Sequence, residues 1–226
     1  MSNCIEIHGL TKVFREQTVL DHLDWNFAAG KIHGIVGNNG SGKTVLFKCI
    51  CGFLQPTSGY VEVNGKRIGR DVDFPGDVGL IIESPGFLYN LSGLKNLELL
   101  ASINKRIGIR ECAQAMRTVG LDPASRKPVG KYSLGMRQRL GIAQAIMEQP
   151  SLLILDEPLN GLDKHGVEEM RTLLRGYAVE GRTILLASHN AQDIDVLCDT
   201  VCEMDAGVLT VVRGEGDQTS EGGLES

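Results

Sequence analysis

Residues 37–44 read Gly37, Asn38, Asn39, Gly40, Ser41, Gly42, Lys43 and Thr44, the spacing G-x-x-x-x-G-K-[ST] of a phosphate-binding loop. An apolar run at 32–36 precedes the loop and a helix-forming run at 45–54 follows it, the strand–loop–helix order the motif needs. The chemistry is capture of nucleotide phosphates. Gly37, Gly40 and Gly42 let the backbone curl so that successive N–H groups point inward. The helix beginning near Gly42 adds the positive end of its dipole. Lys43 is expected to reach the β- and γ-phosphates and the Thr44 hydroxyl to bind Mg²⁺. Val45 opens the helical run and completes the binding segment.

A second constellation lies far along the chain. Residues 152–157 form an apolar run that ends in Asp156 and Glu157. At the C-terminal edge of a strand, Asp156 can hold Mg²⁺ directly or through water. Glu157 is then placed to accept a proton from a water attacking the γ-phosphate. An isolated Asp-Glu pair after a strand is commonly a solvated turn; with the phosphate loop present, the catalytic reading prevails. Pro158 ends the strand. Another apolar run, 183–187, leads into Ser188 and His189.

These residues need a scaffold. The runs at 152–155 and 183–187 are uninterrupted apolar strands, as in a parallel sheet buried on both faces. Further strands are expected at 4–7, 19–27, 59–63 and 78–82, with Leu23, Trp25 and Phe27 alternating onto one buried face. A helix is expected at about 164–179, and a late hairpin joins 201–204 to 208–212 around Ala206-Gly207. From about 83 to 150 the pattern is helical, with Leu94, Leu97, Leu100 and Ile103 on one stripe and Leu140, Ala143 and Ile146 on another. The fold expected is α/β. A phosphate-loop nucleotide core with a mixed sheet (about 1–83 and 151–213) is interrupted by a helical subdomain (about 84–150). The Gly-, Ser- and Glu-rich tail, 214–226, is expected to be disordered.

The order of phosphate loop, Tyr132-Ser133-Leu134-Gly135-Met136, strand-Asp-Glu and strand-Ser-His resembles the ATP-binding domain of an ABC transporter over about residues 4–212. The family's signature is Leu-Ser-Gly-Gly-Gln. This chain keeps Ser133 and Gly135 and departs at Tyr132, Leu134 and Met136. The resemblance implies that Ser133, Gly135 and the helix they open contact the γ-phosphate of an ATP held by an opposite subunit; a plain helix cap is the alternative role of Ser133. It implies that Asn160-Gly161-Leu162-Asp163 is the loop ending in the family's aspartate, that His189 is the switch histidine, and that Phe14 stacks on adenine, although a Phe beside a strand is often core. Glu83 stands where the family places a Gln that senses Mg²⁺ and the γ-phosphate. With the residues that follow it, Glu83 resembles the bacitracin- and lantibiotic-type export and immunity branch. The adjacent Phe87, Leu88 and Tyr89 either dock a membrane subunit or pack the helical subdomain.

Bulk properties limit the alternatives. The chain has 226 residues, enough for one substantial domain, and a net charge of −5. Residues 213–226 carry one Arg and four acidic groups, so the body is nearly balanced and has no basic nucleic-acid footprint. No apolar run approaches the roughly 20 residues that span a bilayer. The expected function is that of an ATP-hydrolysing subunit, cytoplasmic and peripheral on the inner face of the membrane. It would pair with a like or different ATPase subunit and power a separate transmembrane permease that exports a peptide antibiotic or similar amphipathic compound. A soluble ABC-type ATPase acting on ribosomes or DNA, and a small-molecule kinase, are the alternatives. The six cysteines lack zinc spacing and read as reduced core thiols; Cys198 and Cys202, four apart, could share a helix face.

Overall fold

The apolar β7 (Leu152–Asp156) and β8 (Thr183–Ala187) lie side by side as inner strands of a six-stranded sheet in a computed structural model that describes residues 2–83 and 86–214. Their composition follows from burial on both faces. Leu152 and Ile154 enter one hydrophobic cluster while Leu153 and Leu155 enter the other; Leu185 and Ala187, against Ile184 and Leu186, divide the same way. With side chains alternating across a strand, a sheet with two covered faces favours apolar residues throughout, and the buried exception in β8, Thr183, accepts the Gly30 N–H.

The sheet adds β3 (Ile32–Val36), β6 (Val78–Ile81), β9 (Thr200–Asp205) and β10 (Val208–Arg213), in the order β10-β9-β3-β8-β7-β6. All neighbours pair in parallel except β10, which returns antiparallel to β9. The hairpin turn falls at Ala206 and Gly207, both at positive φ, as expected from the sequence.

The antiparallel strands form a separate sheet. It comprises β1 (Asn3–Phe14), β2 (Gln17–Ala28), β4 (Ser58–Val63) and the short β5 (Lys66–Arg67), in the order β2-β1-β4-β5. β1 is much longer than the 4–7 segment expected, because its register shifts carry pairing with β2 as far as Phe14↔Gln17. Between the two sheets lies α1 (Lys43–Ile50), whose Leu46, Phe47 and Ile50 are fully buried. The helix stops at its cap Cys51, short of the 45–54 run, where Gly52 turns into the left-handed region.

The segment between β6 and β7 holds α2 (Gly93–Asn104), α3 (Ile109–Thr118) and α4 (Leu134–Ile146), with a single 3-10 turn at Val129–Lys131. Leu140, Ala143 and Ile146 are buried, as is Leu97, but Ile103 is 74% exposed because it lies in the last turn of α2 beyond the packed part. α5 (Lys164–Val179) matches the predicted helix, and α6 (Ala191–Leu197) follows His189. Since α6 ends before Cys198 and Cys202 lies in β9, those two thiols do not share a helix face. Of the tail expected at 214–226, residues 215–226 lie outside the described residues.

All six cysteines are free and buried. Burial pushes the thiols of Cys51, Cys198 and Cys202 up to about 12 and that of Cys49 up to about 11. The thiolate is the reactive form, so the native protein is expected to resist maleimide at pH 8 while the denatured chain takes up label at all six positions. Mass spectrometry of labelled protein checks this.

Two glycines test the packing. A Cβ on Gly79, in β6, would lie 1.9 Å from the carbonyl oxygen of Ala145 in α4. Gly79→Ala is therefore expected to destabilise by about 3 kcal/mol or more. Gly176 faces open space on α5. Gly176→Ala is expected to stabilise by roughly 0.5–1 kcal/mol. Urea unfolding of both variants measures the contrast.

Candidate functional site

Parallel pairing brings four strand ends to one edge. Ile81 is level with Leu155, Asp156 with Ala187, and Ala187 with Ile35. The residues that follow these strands therefore converge, although they come from positions as far apart as 37, 83, 157 and 189. They open onto a cleft of about 690 Å³, lined by residues that include Lys43, Thr44, Glu83, Gln138, Asp156 and Glu157. That size suits a nucleotide-scale ligand.

The phosphate loop joins β3 to α1. Gly37, Gly40 and Gly42 all have positive φ, and a Cβ on Gly37 would lie 2.2 Å from the carbonyl oxygen of Met204. Only glycine fits there. The β9–β10 turn braces the loop through the Gly207 N–H, which donates to the Ser41 carbonyl at 3.2 Å. Lys43 is buried and spans the loop, with Nζ donating to the carbonyls of Gly37 (2.5 Å) and Asn38 (2.9 Å). An ammonium this enclosed needs such acceptors, and phosphate oxygens can replace them. Asn39, Gly40, Gly42 and Val45 also line the cleft.

Thr44 Oγ1 donates to Asp156 Oδ2 at 2.8 Å, joining the start of α1 to the end of β7. Two hard oxygen donors at this separation fit Mg²⁺, which is usually held by one or two protein groups together with substrate phosphates. No cluster of three or more His, Cys, Asp or Glu suited to a metal occurs among the described residues.

Glu157 adopts a left-handed conformation (φ +51°), rare for a residue with a side chain and concentrated at functional sites. Its N–H donates to the Ala187 carbonyl at 2.9 Å, so β8 holds the strained turn. Its Oε1 accepts the His189 N–H at 3.0 Å and lies 2.8 Å from His189 Nδ1. Glu157 and His189, 32 residues apart, thus form one unit.

Other expected site residues stand farther out. Ser133 caps α4, accepting the Met136 N–H at 3.2 Å, and is exposed at the mouth of that helix. Gly135 lies against the 160–162 loop, where a Cβ would come within 3.0 Å of the Gly161 carbonyl. Asp163 caps α5 by accepting the Gly166 N–H at 2.8 Å, while its neighbours Asn160 and Gly161 line the cleft. Phe14 ends β1 at 41% exposure with the Lys12 ammonium over its ring, and it is not among the cleft-lining residues. Phe87 belongs to the core, which settles its packing role; Leu88 and Tyr89 are exposed. Buried Asn96 holds this loop through the Leu88 N–H and carbonyl.

Sequence reasoning missed Gln138. From α4, its amide donates to the carbonyls of Glu157 (3.1 Å) and Pro158 (2.8 Å) and lines the cleft. Its position one turn after Ser133, on the face with Leu134, was the available signal.

The fold and cleft define a phosphate-loop nucleotide hydrolase whose carboxylates sit at strand ends. Residues 20–160 match the family model described as ABC transporter, and the chain belongs to that family as one of its ATP-hydrolysing subunits. It is 42% identical to a bacitracin transport ATP-binding protein, BcrA of Bacillus licheniformis, over 92% of this chain and 69% of that protein. It is 35% identical to a lantibiotic transport ATP-binding protein, SrtF of Streptococcus pyogenes, over 87% of this chain and 85% of that one. A dimeric structure of a bacterial ABC transporter cassette superposes with a TM-score of 0.83 at 21% identity, covering 93% of this chain and 99% of that one, and shares the fold.

Gln138 fixes the backbone that carries Glu157, so Gln138→Ala is expected to lower kcat for ATP hydrolysis by about tenfold. Loss of two surface-accessible hydrogen bonds is worth only about 1–3 kcal/mol. Steady-state phosphate release checks it, with KM for ATP changing less than kcat.

Proposed function

We propose that this chain hydrolyses ATP to drive a separate membrane permease that exports a peptide antibiotic of the bacitracin or lantibiotic kind, or a similar amphipathic compound. The observation that carries the reading is the junction of Thr44, Asp156, Glu157 and His189 beside the phosphate loop. The names of the relatives support the substrate class. No helix among the described residues is long and apolar enough to cross a membrane. The chain works as a peripheral subunit on the inner face of the membrane, and exposed Leu88 and Tyr89 contribute to permease docking from the helical subdomain.

Lys43 and the inward N–H groups of the loop bind the β- and γ-phosphates. Thr44 and Asp156 would hold Mg²⁺, and Glu83, which lines the same cleft, would add a further oxygen donor. When bound, the ion would supply positive charge to the phosphate oxygens. Glu157 takes the proton of the attacking water, and His189, held against its carboxylate, keeps that water and the γ-phosphate in line. Phe14 offers a ring to adenine. Ser133, Gly135 and Asp163 complete the site of a second ATP-binding subunit, either a copy of this chain or a different one. An exposed helix N-terminus capped only by its own serine is suited to an external γ-phosphate.

Glu157→Gln is the test. The amide is nearly isosteric but cannot accept the proton, and loss of a general base costs about 10²–10⁴ in rate. The variant is expected to bind ATP and elute as a dimer in size-exclusion chromatography, while wild type returns to monomer after turnover. A variant that hydrolyses ATP at the wild-type rate removes Glu157 as base. One that binds ATP but stays monomeric at high concentration rejects the two-subunit site for identical chains.

A further inference from the structure

Glu83 follows β6 in the left-handed region (φ +60°) and lines the cleft that holds the phosphate loop. Its carboxylate is not loose. Glu83 Oε1 lies 2.6 Å from Nζ of Lys48, which stands five residues after Lys43 on α1. The backbone of Lys48 is fixed, because its carbonyl accepts the N–H groups of Phe53 and Leu54 beyond the helix end. The helix that offers Lys43 and Thr44 at its first turn therefore also holds the carboxylate opposite them.

The pair is open to solvent, with Glu83 63% and Lys48 29% exposed at the side chain. Ion pairs of this kind add little to folding stability. Their consequence lies in the local potential. An uncompensated carboxylate beside a phosphate cleft repels the anionic ligand, and an ammonium at hydrogen-bond distance cancels most of that field.

We propose that Lys48 is a positioning residue for nucleotide binding: it draws the Glu83 carboxylate against α1 and neutralises it, so that an acidic residue can end β6 without repelling ATP. The proposal rests on the reading of the cleft as the ATP site. It explains how glutamate is accommodated at a position where an uncharged amide would bring no conflict. It also makes the glutamate releasable, since an exposed pair can be broken by a competing cation or by a docked partner.

The test is a double-mutant cycle read by titration with a fluorescent ATP analogue in Mg²⁺, on the full chain, with melting temperatures measured in parallel. Lys48→Met is expected to weaken binding about tenfold at low ionic strength, and less at high salt. In the Glu83→Gln background the same substitution is expected to change affinity by less than about twofold, because no carboxylate is left to unmask. Lys48→Arg, which keeps the charge, is expected to retain wild-type affinity. Melting temperatures should stay within about 3 °C throughout. Wild-type affinity in Lys48→Met, or an equal loss with and without the Glu83 carboxylate, overturns the proposal. Lys43→Ala separates the two levels: if it binds the analogue as tightly as wild type, the nucleotide reading itself fails and the proposal with it.

Discussion

Parallel register is the constraint on which this molecule depends. Because β6, β7, β8 and β3 run the same way and are level at their ends, the residues leaving them must meet. A parallel sheet requires long crossovers, and those crossovers cover both faces. Full burial in turn favours apolar residues at most strand positions, and the buried polar exceptions His33 and Thr183 are hydrogen-bonded. The polar chemistry of the site is thus gathered at the strands' C-terminal ends, where ligands bind in open α/β sheets. Asp156 is the boundary: the strand's last residue and the first to reach the cleft.

At that edge, polar groups from buried Lys43 to exposed His189 satisfy one another. Lys43 is bonded to loop carbonyls, Thr44 to Asp156, and Glu157 to the backbone and ring of His189. The first closes the loop on itself, and the other two join distant chain segments. Leaving any of these groups desolvated and unpaired would cost more than the net worth of the bond. The same bonds are those a nucleotide and its metal can exchange for their own. The site is therefore held ready without being blocked.

Legibility in the sequence followed the range of the physics. The phosphate loop could be read because its spacing is local: the two fixed glycines of the pattern, Gly37 and Gly42, stand at positive φ with no room for a side chain. β7 and β8 could be read because burial imposes an apolar composition along almost their whole length. β1 could not be bounded, since its pairing is set by β2 and β4 across register shifts that leave no local trace. The end of α1 and the exposure of Ile103 depend on where neighbouring elements stop. Gln138 escaped notice because its partners are backbone carbonyls, which have no sequence identity. Phe87, Leu88 and Tyr89 looked alike as three adjacent hydrophobic residues, and only packing separates the buried first from the exposed others.

The helices that carry the outer loops of the cleft are themselves joined. Arg171 of α5 and Asp193 of α6 are both about 5% exposed at the side chain, and the guanidinium meets the carboxylate through Nε and Nη2. α5 starts at the cap Asp163, directly after the Asn160-Gly161 lining of the cleft, and α6 starts directly after His189. A buried pair of this kind is weak evidence for net stability, since desolvation offsets attraction, but breaking it by removing one partner is costly. Its effect here is geometric. It ties the 160–163 segment, which lies against the N-terminal end of α4, to the histidine that touches Glu157. Displacement of either segment must then move the other or strand a buried charge. The edge of the sheet fixes the inner half of the site, and this pair gives the outer half a single frame.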